Sequence, residues 1–183
     1  MKNLELKAEL RDPNLARLIC KQIGASKICT IRQTDTYFNV TRGRLKKRES
    51  VVVERGVGSP EPLEYIFYER PDKVSPKVSE YHIYTLEQVR ERFGEKELPV
   101  WLEVVKNREL YLYESTRIHI DDVIDLGWYF EYEILVDDRT NMDDAQDLAD
   151  RLRSTFLPAL GEPIAASYSD LLAQAKGLLE GEP

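Results

Sequence analysis

Gly43-Arg44-Leu45-Lys46-Lys47-Arg48-Glu49 is the stretch on which the fold turns. Read at alternate positions, Arg44, Lys46 and Arg48 share a register, so a strand here sets three cations on one face. Like charges along one face of a sheet repel, and such a face needs either open water or an anion. Water is the simpler answer; a cavity built for a polyanion is the sharper one. What favours the cavity is that other segments repeat the pattern with both signs of charge.

Residues 3–10 set Leu4, Leu6, Ala8 and Leu10 against Asn3, Glu5, Lys7 and Glu9. Residues 63–70 set Leu63, Tyr65 and Phe67 against Glu64, Ile66, Tyr68 and Arg70. Thr116, Ile118 and Ile120 oppose Arg117, His119 and Asp121; Trp128, Phe130, Tyr132 and Ile134 oppose Tyr129, Glu131 and Glu133. Each reads as a strand with one apolar and one charged face. Shorter strands are expected at 28–31, 36–40 and 81–84, with a turn at 41–43 and a loop at 56–62. Residues 98–113 read as two strands joined by a turn near Asn107.

Helices fill the rest. Asp12-Pro13 opens one with an apolar stripe of Leu15, Leu18, Ile19 and Ile23. Thr85 caps another through Phe93, closed by Gly94. Leu148, Leu152, Phe156 and Leu160 mark a third at a spacing of four. Ser167 or Ser169 starts a last helix through Leu171, Leu172 and Leu178. About eight strands with three or four helices make an α+β protein. An antiparallel sheet with apolar faces under helices and charge on the other side is best closed into a barrel, helices outside and charge within, which also removes exposed edges.

The 183 residues fit a single domain spanning 1–183. A net charge of -7 argues against a general nucleic-acid binder, and a basic run inside an acidic chain reads as a focused anion site. Cys20 and Cys29 have no C-x-x-C spacing, as expected of a reduced, cytoplasmic chain. The first residues alternate charge without the apolar core of a signal peptide, and no apolar run approaches the roughly 20 residues that span a bilayer.

An interior holding both cations and carboxylates suits a nucleotide or polyphosphate carrying a divalent metal. Arg and Lys neutralise phosphate oxygens; carboxylates belong there only with a metal between, and Mg²⁺ or Mn²⁺ are the oxygen-seeking choices. Other chemistries find little support. His82 and His119 lie far apart without Cys partners and read as surface or hydrogen-bonded residues, His119 being the one placed to line the cavity. No P-loop or Rossmann fingerprint is present. Cys20 reads as core, and Tyr111 and Tyr113 as packing rather than base-stacking groups.

The chain resembles the CYTH superfamily of triphosphate tunnel enzymes, and within it the class IV adenylyl cyclase-like branch. The resemblance rests on residues 3–7 (NLELK), 35–38 (DTYF), 43–49 (GRLKKRE), 68–72 (YERPD), 105–111 (VKNRELY), 117–121 (RIHID), 126–127 (LG), Glu131 and 167–172 (SYSDLL). It implies an eight-stranded tunnel around a triphosphate, with activities that include cyclising ATP and hydrolysing inorganic, nucleoside or thiamine triphosphates. By motif, Glu5 and Glu131 stand as metal-side carboxylates, with Asp121 a further acidic position that binds metal or orients the attacking group. Lys7, Arg48, Arg70, Lys106, Arg108 and Arg117 stand as phosphate ligands, Arg44 and Lys46 beside them; Lys7, Arg48 and Asp121 form the expected catalytic set. Glu133 joins the metal side by alternation. The partner implied is a nucleoside triphosphate or inorganic polyphosphate, with no nucleic acid and no membrane; a homodimer is left open. One departure matters: the family's first strand carries E-x-E-x-K, and its first Glu is here Asn3, with Glu9 one step deeper on the same face as a replacement.

Overall fold

The alternation along the first strand is what the folded chain uses to divide inside from outside. The computed structural model describes residues 2–54, 57–69, 77–137 and 140–178. It contains β1 (Lys2–Leu10), β2 (Ser26–Phe38), β3 (Arg44–Glu54), β4 (Val57–Pro60), β5 (Glu64–Glu69), β6 (Lys77–Tyr84), β7 (Val100–Tyr113), β8 (Thr116–Val123), β9 (Gly127–Val136) and β10 (Leu160–Pro163). The helices are α1 (Pro13–Gln22), α2 (Leu86–Phe93), α3 (Met142–Phe156) and α4 (Tyr168–Ala175). Among the described residues, no helix is long and apolar enough to cross a membrane.

Pairing is antiparallel throughout and runs β1–β6–β5–β3–β2–β7–β8–β9. The last of these returns to the first, from Lys2↔Val136 to Glu9↔Tyr129, so the ladder of eight strands meets its own start. β4 and β10 add to the flanks of β3 and β1. Leu4, Leu6, Ala8, Ile118, Ile120, Phe130, Tyr132 and Ile134 point outward into a core shared with Ala16, Ile19 and Cys20 of α1 and Leu148, Leu152 and Phe156 of α3. Each Leu, Ile or Phe side chain among them withdrawn from water contributes about 1.5–3 kcal/mol. A smaller cluster puts Leu45 and Phe67 beneath Val89 of α2.

The fourth helix behaves differently. Tyr168, Leu172 and Ala173 pack on Tyr37, Leu102, Val104, Val123 and Tyr129. Those five share a register with Asp35, Lys106, Asp121 and Glu131, so they belong to the inner face. α4 therefore plugs one end of the enclosure.

Several boundaries differ from those expected. β2 is one continuous strand, because Gln33 and Asp35 of its polar middle face the interior. β7 runs unbroken through Asn107, which pairs with Arg32 on one side and Asp122 on the other; two strand partners outweigh one residue's turn preference. The turn expected at 41–43 is present, with Gly43 at φ 70, in the left-handed region. Part of the expected loop at 56–62 is β4, and Leu160 lies in β10 rather than in a helix. Pro158 explains the latter, since α3 ends at Phe156 and a 3-10 turn carries the chain onward. Leu18 is exposed, and Ala16 and Cys20 take the buried positions on α1.

Candidate functional site

The inner faces surround a cavity of about 320 Å³. Lys7 and Glu5 reach it from β1, Lys46 and Arg48 from β3, Lys106 and Arg108 from β7. Arg117 from β8 and Glu131 and Glu133 from β9 complete the expected set that lines it. Side-chain exposure falls from 46% at Arg117 through 16% at Arg48 to 1% at Lys106, so the cavity opens beside Arg117 and deepens toward α4.

At its deep end three cations converge on one carboxylate. Arg48 grips Asp35 through Nε and Nη2 at 2.7 and 2.8 Å, while Lys46 and Lys106 each donate to Oδ2 at 3.0 Å. Burial alone would raise the Asp35 carboxyl, but Arg48, Lys106 and Lys46 outweigh it and hold it well below the carboxylate range. One negative charge cannot balance three positive ones. Burial and the Arg48 charge push Lys46 from 10.5 down to about 7, and burial lowers Lys106 to about 8 against the pull of Asp35. The surplus positive charge faces the cavity.

The opposite wall is acidic. Lys7 stands in register with Glu131, and Glu5 with Glu133. Burial opposes ionisation of Glu131, yet Lys7, His119 and Arg108 keep its carboxyl well below the usual range. Arg117 bonds Glu133 at 2.7 Å near the opening. The donor set fits a divalent cation: His119, Glu131 and Glu133 each offer an atom, all within 4.8 Å of one another, and the buried Nδ1 of His119 has no hydrogen-bond partner.

Two expected ligands stand elsewhere. Asp121 is fully buried and accepts Arg108 through both oxygens, at 2.7 and 2.6 Å, with Tyr168 Oη donating at 2.8 Å. It does not line the cavity, because α4 covers it; it fixes the arginine that does. Arg44 turns away to Ser167, Ser169 and Asp170 at the start of α4, the first residue of its strand being level with the plug. Arg70 lies outside the described residues. Glu9 is exposed beside β10, where the register of β1 shifts, and does not replace the missing carboxylate. Asn3 itself is buried and lines the cavity.

Asp35 was not among the expected site residues. Counting back equally along both arms of the hairpin from its turn sets it opposite Arg48, so the signal was present. Gln33, also lining the cavity, donates to Ser50 Oγ at 3.1 Å. Tyr168, with Lys7 Nζ 4.1 Å above its ring, forms the floor, and no strand periodicity could place a helix residue there. Tyr111 is core, as expected, and His82 is exposed against Tyr84.

Residues 1–160 match the CYTH domain family model. The chain belongs to the CYTH domain family. Its enclosure is thus the triphosphate-binding tunnel fold of that family, which includes triphosphatases and adenylyl cyclase-like enzymes and implies dependence on a divalent metal. No curated protein sequence matches the chain. Among solved structures, a protein of Pyrococcus horikoshii OT3 aligns with a TM-score of 0.65 and 18% identity, covering 94% of this chain and 98% of that one. A candidate adenylate cyclase of Vibrio parahaemolyticus gives 0.62 and 15%, covering 93% and 97%. A chain of the Schizosaccharomyces pombe Mediator head module gives 0.59 and 12%, covering 89% and 98%. At such identities the likeness establishes the CYTH fold alone.

Proposed function

We propose that this CYTH protein catalyses metal-dependent phosphoryl or nucleotidyl transfer on a triphosphate held in the cavity. The observation that carries the reading is the convergence of Lys46, Arg48 and Lys106 on the single carboxylate of Asp35. A phosphate chain supplies the anionic charge that this buried group lacks. Arg48 presents a fork that suits two phosphate oxygens, and Lys7, Arg108 and Arg117 continue the cationic surface toward the opening. Asp121 and Tyr168 act as positioning residues by locking Arg108. Glu131 and Glu133, with Glu5 beside them, would hold Mg²⁺ or Mn²⁺, and a cation bound there would supply positive charge to neutralise what develops on the phosphate oxygens.

Two reactions use this clamp. In one the ribose 3′-oxygen attacks the α-phosphorus and pyrophosphate leaves; in the other water attacks the terminal phosphorus, its bond to the bridging oxygen breaks, and the diphosphate leaves as orthophosphate forms. Neither needs a covalent nucleophile on the protein, and positioning with charge stabilisation suffices. The test is incubation with ATP or tripolyphosphate and each metal, followed by chromatographic separation of cyclic AMP, pyrophosphate and phosphate. Product in any combination is expected, and absence of product with both metals removes the enzyme reading.

Asn3 favours a second reading, a binding module without turnover. Its amide offers oxygen but no charge where the family pattern has a carboxylate. Tight calorimetric binding with no product supports this alternative, and activity gained by Asn3→Glu identifies a decayed enzyme.

A further inference from the structure

We propose that His119 is itself a metal ligand, and that the site is built for a cation that accepts imidazole nitrogen, Mn²⁺ in preference to Mg²⁺. The inference rests on the reading that a triphosphate and a divalent cation share the cavity, and it names which cation.

Four observations converge on the residue. His119 lies on the inner face of β8 between Arg117 and Asp121, with Leu110 of β7 on one side and Glu131 of β9 on the other, so its ring faces the cavity's acidic wall. It is 3% exposed, and its Nδ1 has no hydrogen-bond partner. A buried ring nitrogen without a well-formed hydrogen bond is costly. The nearest acidic atom, Glu131 Oε2, stands 3.5 Å away, at the outer limit of a hydrogen bond. A cation drawing Glu131, Glu133 and His119 together satisfies all three, and their ligand atoms are already within 4.8 Å of one another.

The fourth observation is Asn3. The first strand brings one carboxylate fewer to this wall than the family pattern does, and the nitrogen of His119 restores a donor of a different kind. That substitution bears on selectivity. Mg²⁺ demands oxygen and a near-ideal octahedron, whereas Mn²⁺, oxygen-seeking too, is a transition metal of less strict geometry that accepts one imidazole beside carboxylates. A His in the donor set therefore discriminates against Mg²⁺.

The experiment is electron spin-echo spectroscopy of Mn²⁺ added with inorganic tripolyphosphate to excess protein. Modulation by ³¹P reports a phosphate beside the metal; modulation by imidazole ¹⁴N reports His119. The other histidine, His82, is exposed and stacked on Tyr84 outside the cavity, so a histidine signal has one origin there. Growth on ¹⁵N-histidine should change the nitrogen pattern without touching the fold, and His119→Gln should abolish it while ³¹P modulation remains. Nitrogen modulation without ³¹P sustains the ligand and removes the triphosphate; ³¹P without histidine nitrogen overturns the inference and leaves the triphosphate reading intact. Modulation by neither overturns both. Calorimetry supplies the selectivity: Mn²⁺ should bind about tenfold more tightly than Mg²⁺ in the parent chain, with the gap closing in His119→Gln. Equal affinities in the parent also overturn it.

Discussion

Lys46 and Lys106 reach the same oxygen of Asp35 from different strands, β3 and β7, each at 3.0 Å. The shared acceptor leaves the two ammonium groups competing for one charge that Arg48 already holds. Burial disfavours both charges, and with the neighbouring cations it outweighs the pull of Asp35, so that without a further anion the pair is partly deprotonated near neutrality, Lys46 titrating at about 7 and Lys106 at about 8.

A phosphate chain entering beside them restores both ammonium groups, so binding takes up protons. At pH 8, titration calorimetry in buffers of different ionisation enthalpy should show net uptake, and affinity for tripolyphosphate should fall from pH 7 to 9. No uptake would mean that the anion lies elsewhere. The same lysines set a stability trend in the ligand-free chain. Unfolded, they titrate near 10.5; folded, they hold fewer protons above pH 7, so the unfolded state binds more and stability rises with pH. The penalty is fully present below about pH 7 and vanishes toward 10.5. Lys46→Met should flatten the rise between pH 7 and 9 in denaturant titrations.

Asp35→Asn removes the one anion among the three cations. Breaking a buried ion pair from one side costs about 3–5 kcal/mol, so urea midpoints should drop sharply. The distinctive outcome is rescue: tripolyphosphate should restore more stability to the variant than to the parent, because it replaces the missing charge. Equal stabilisation of both proteins would refute the role given to Asp35.

Arg48→Ala tests the binding face of the same cluster. Loss of a charge-assisted contact of about 1.5–3 kcal/mol should weaken tripolyphosphate at least tenfold by calorimetry. Arg44→Ala, which loosens α4 at Asp170 without opening onto the cavity, should lower stability and leave affinity largely unchanged. Comparable losses of affinity in both would erase the distinction between clamp and plug.

How far such roles can be read from sequence depends on which strand a residue meets. The alternation of β1, β3, β8 and β9 states which side chains face inward, because period two is a local property. It therefore placed Lys7, Arg48, Arg117 and Glu131 around one hollow without a structure. It could not say that Asp121 and Arg44 lie level with α4, since a helix from the far end of the chain decides what covers them. β2 hid Asp35 and Gln33 for a related reason: inward polar residues imitate a loop until the strand is known to line a cavity. Pro158 did announce the end of α3, and the spacing of Leu160 masked it.

Glu131→Gln separates the two walls of the site by the sign of its effects. Glu131 Oε2 accepts from Arg108 at 2.8 Å, so the change removes a negative charge from the cavity and releases an arginine that phosphate can engage. Binding of tripolyphosphate in the presence of a chelator should tighten severalfold. With Mn²⁺ or Mg²⁺ present the opposite is expected: loss of the charged donor should weaken metal binding by about 10–100-fold, the scale on which metal sites respond to lost supporting groups. Calorimetry with and without metal measures both on one protein. If the two effects run in the same direction, Glu131 serves the phosphates or the fold, and the metal lies on another wall.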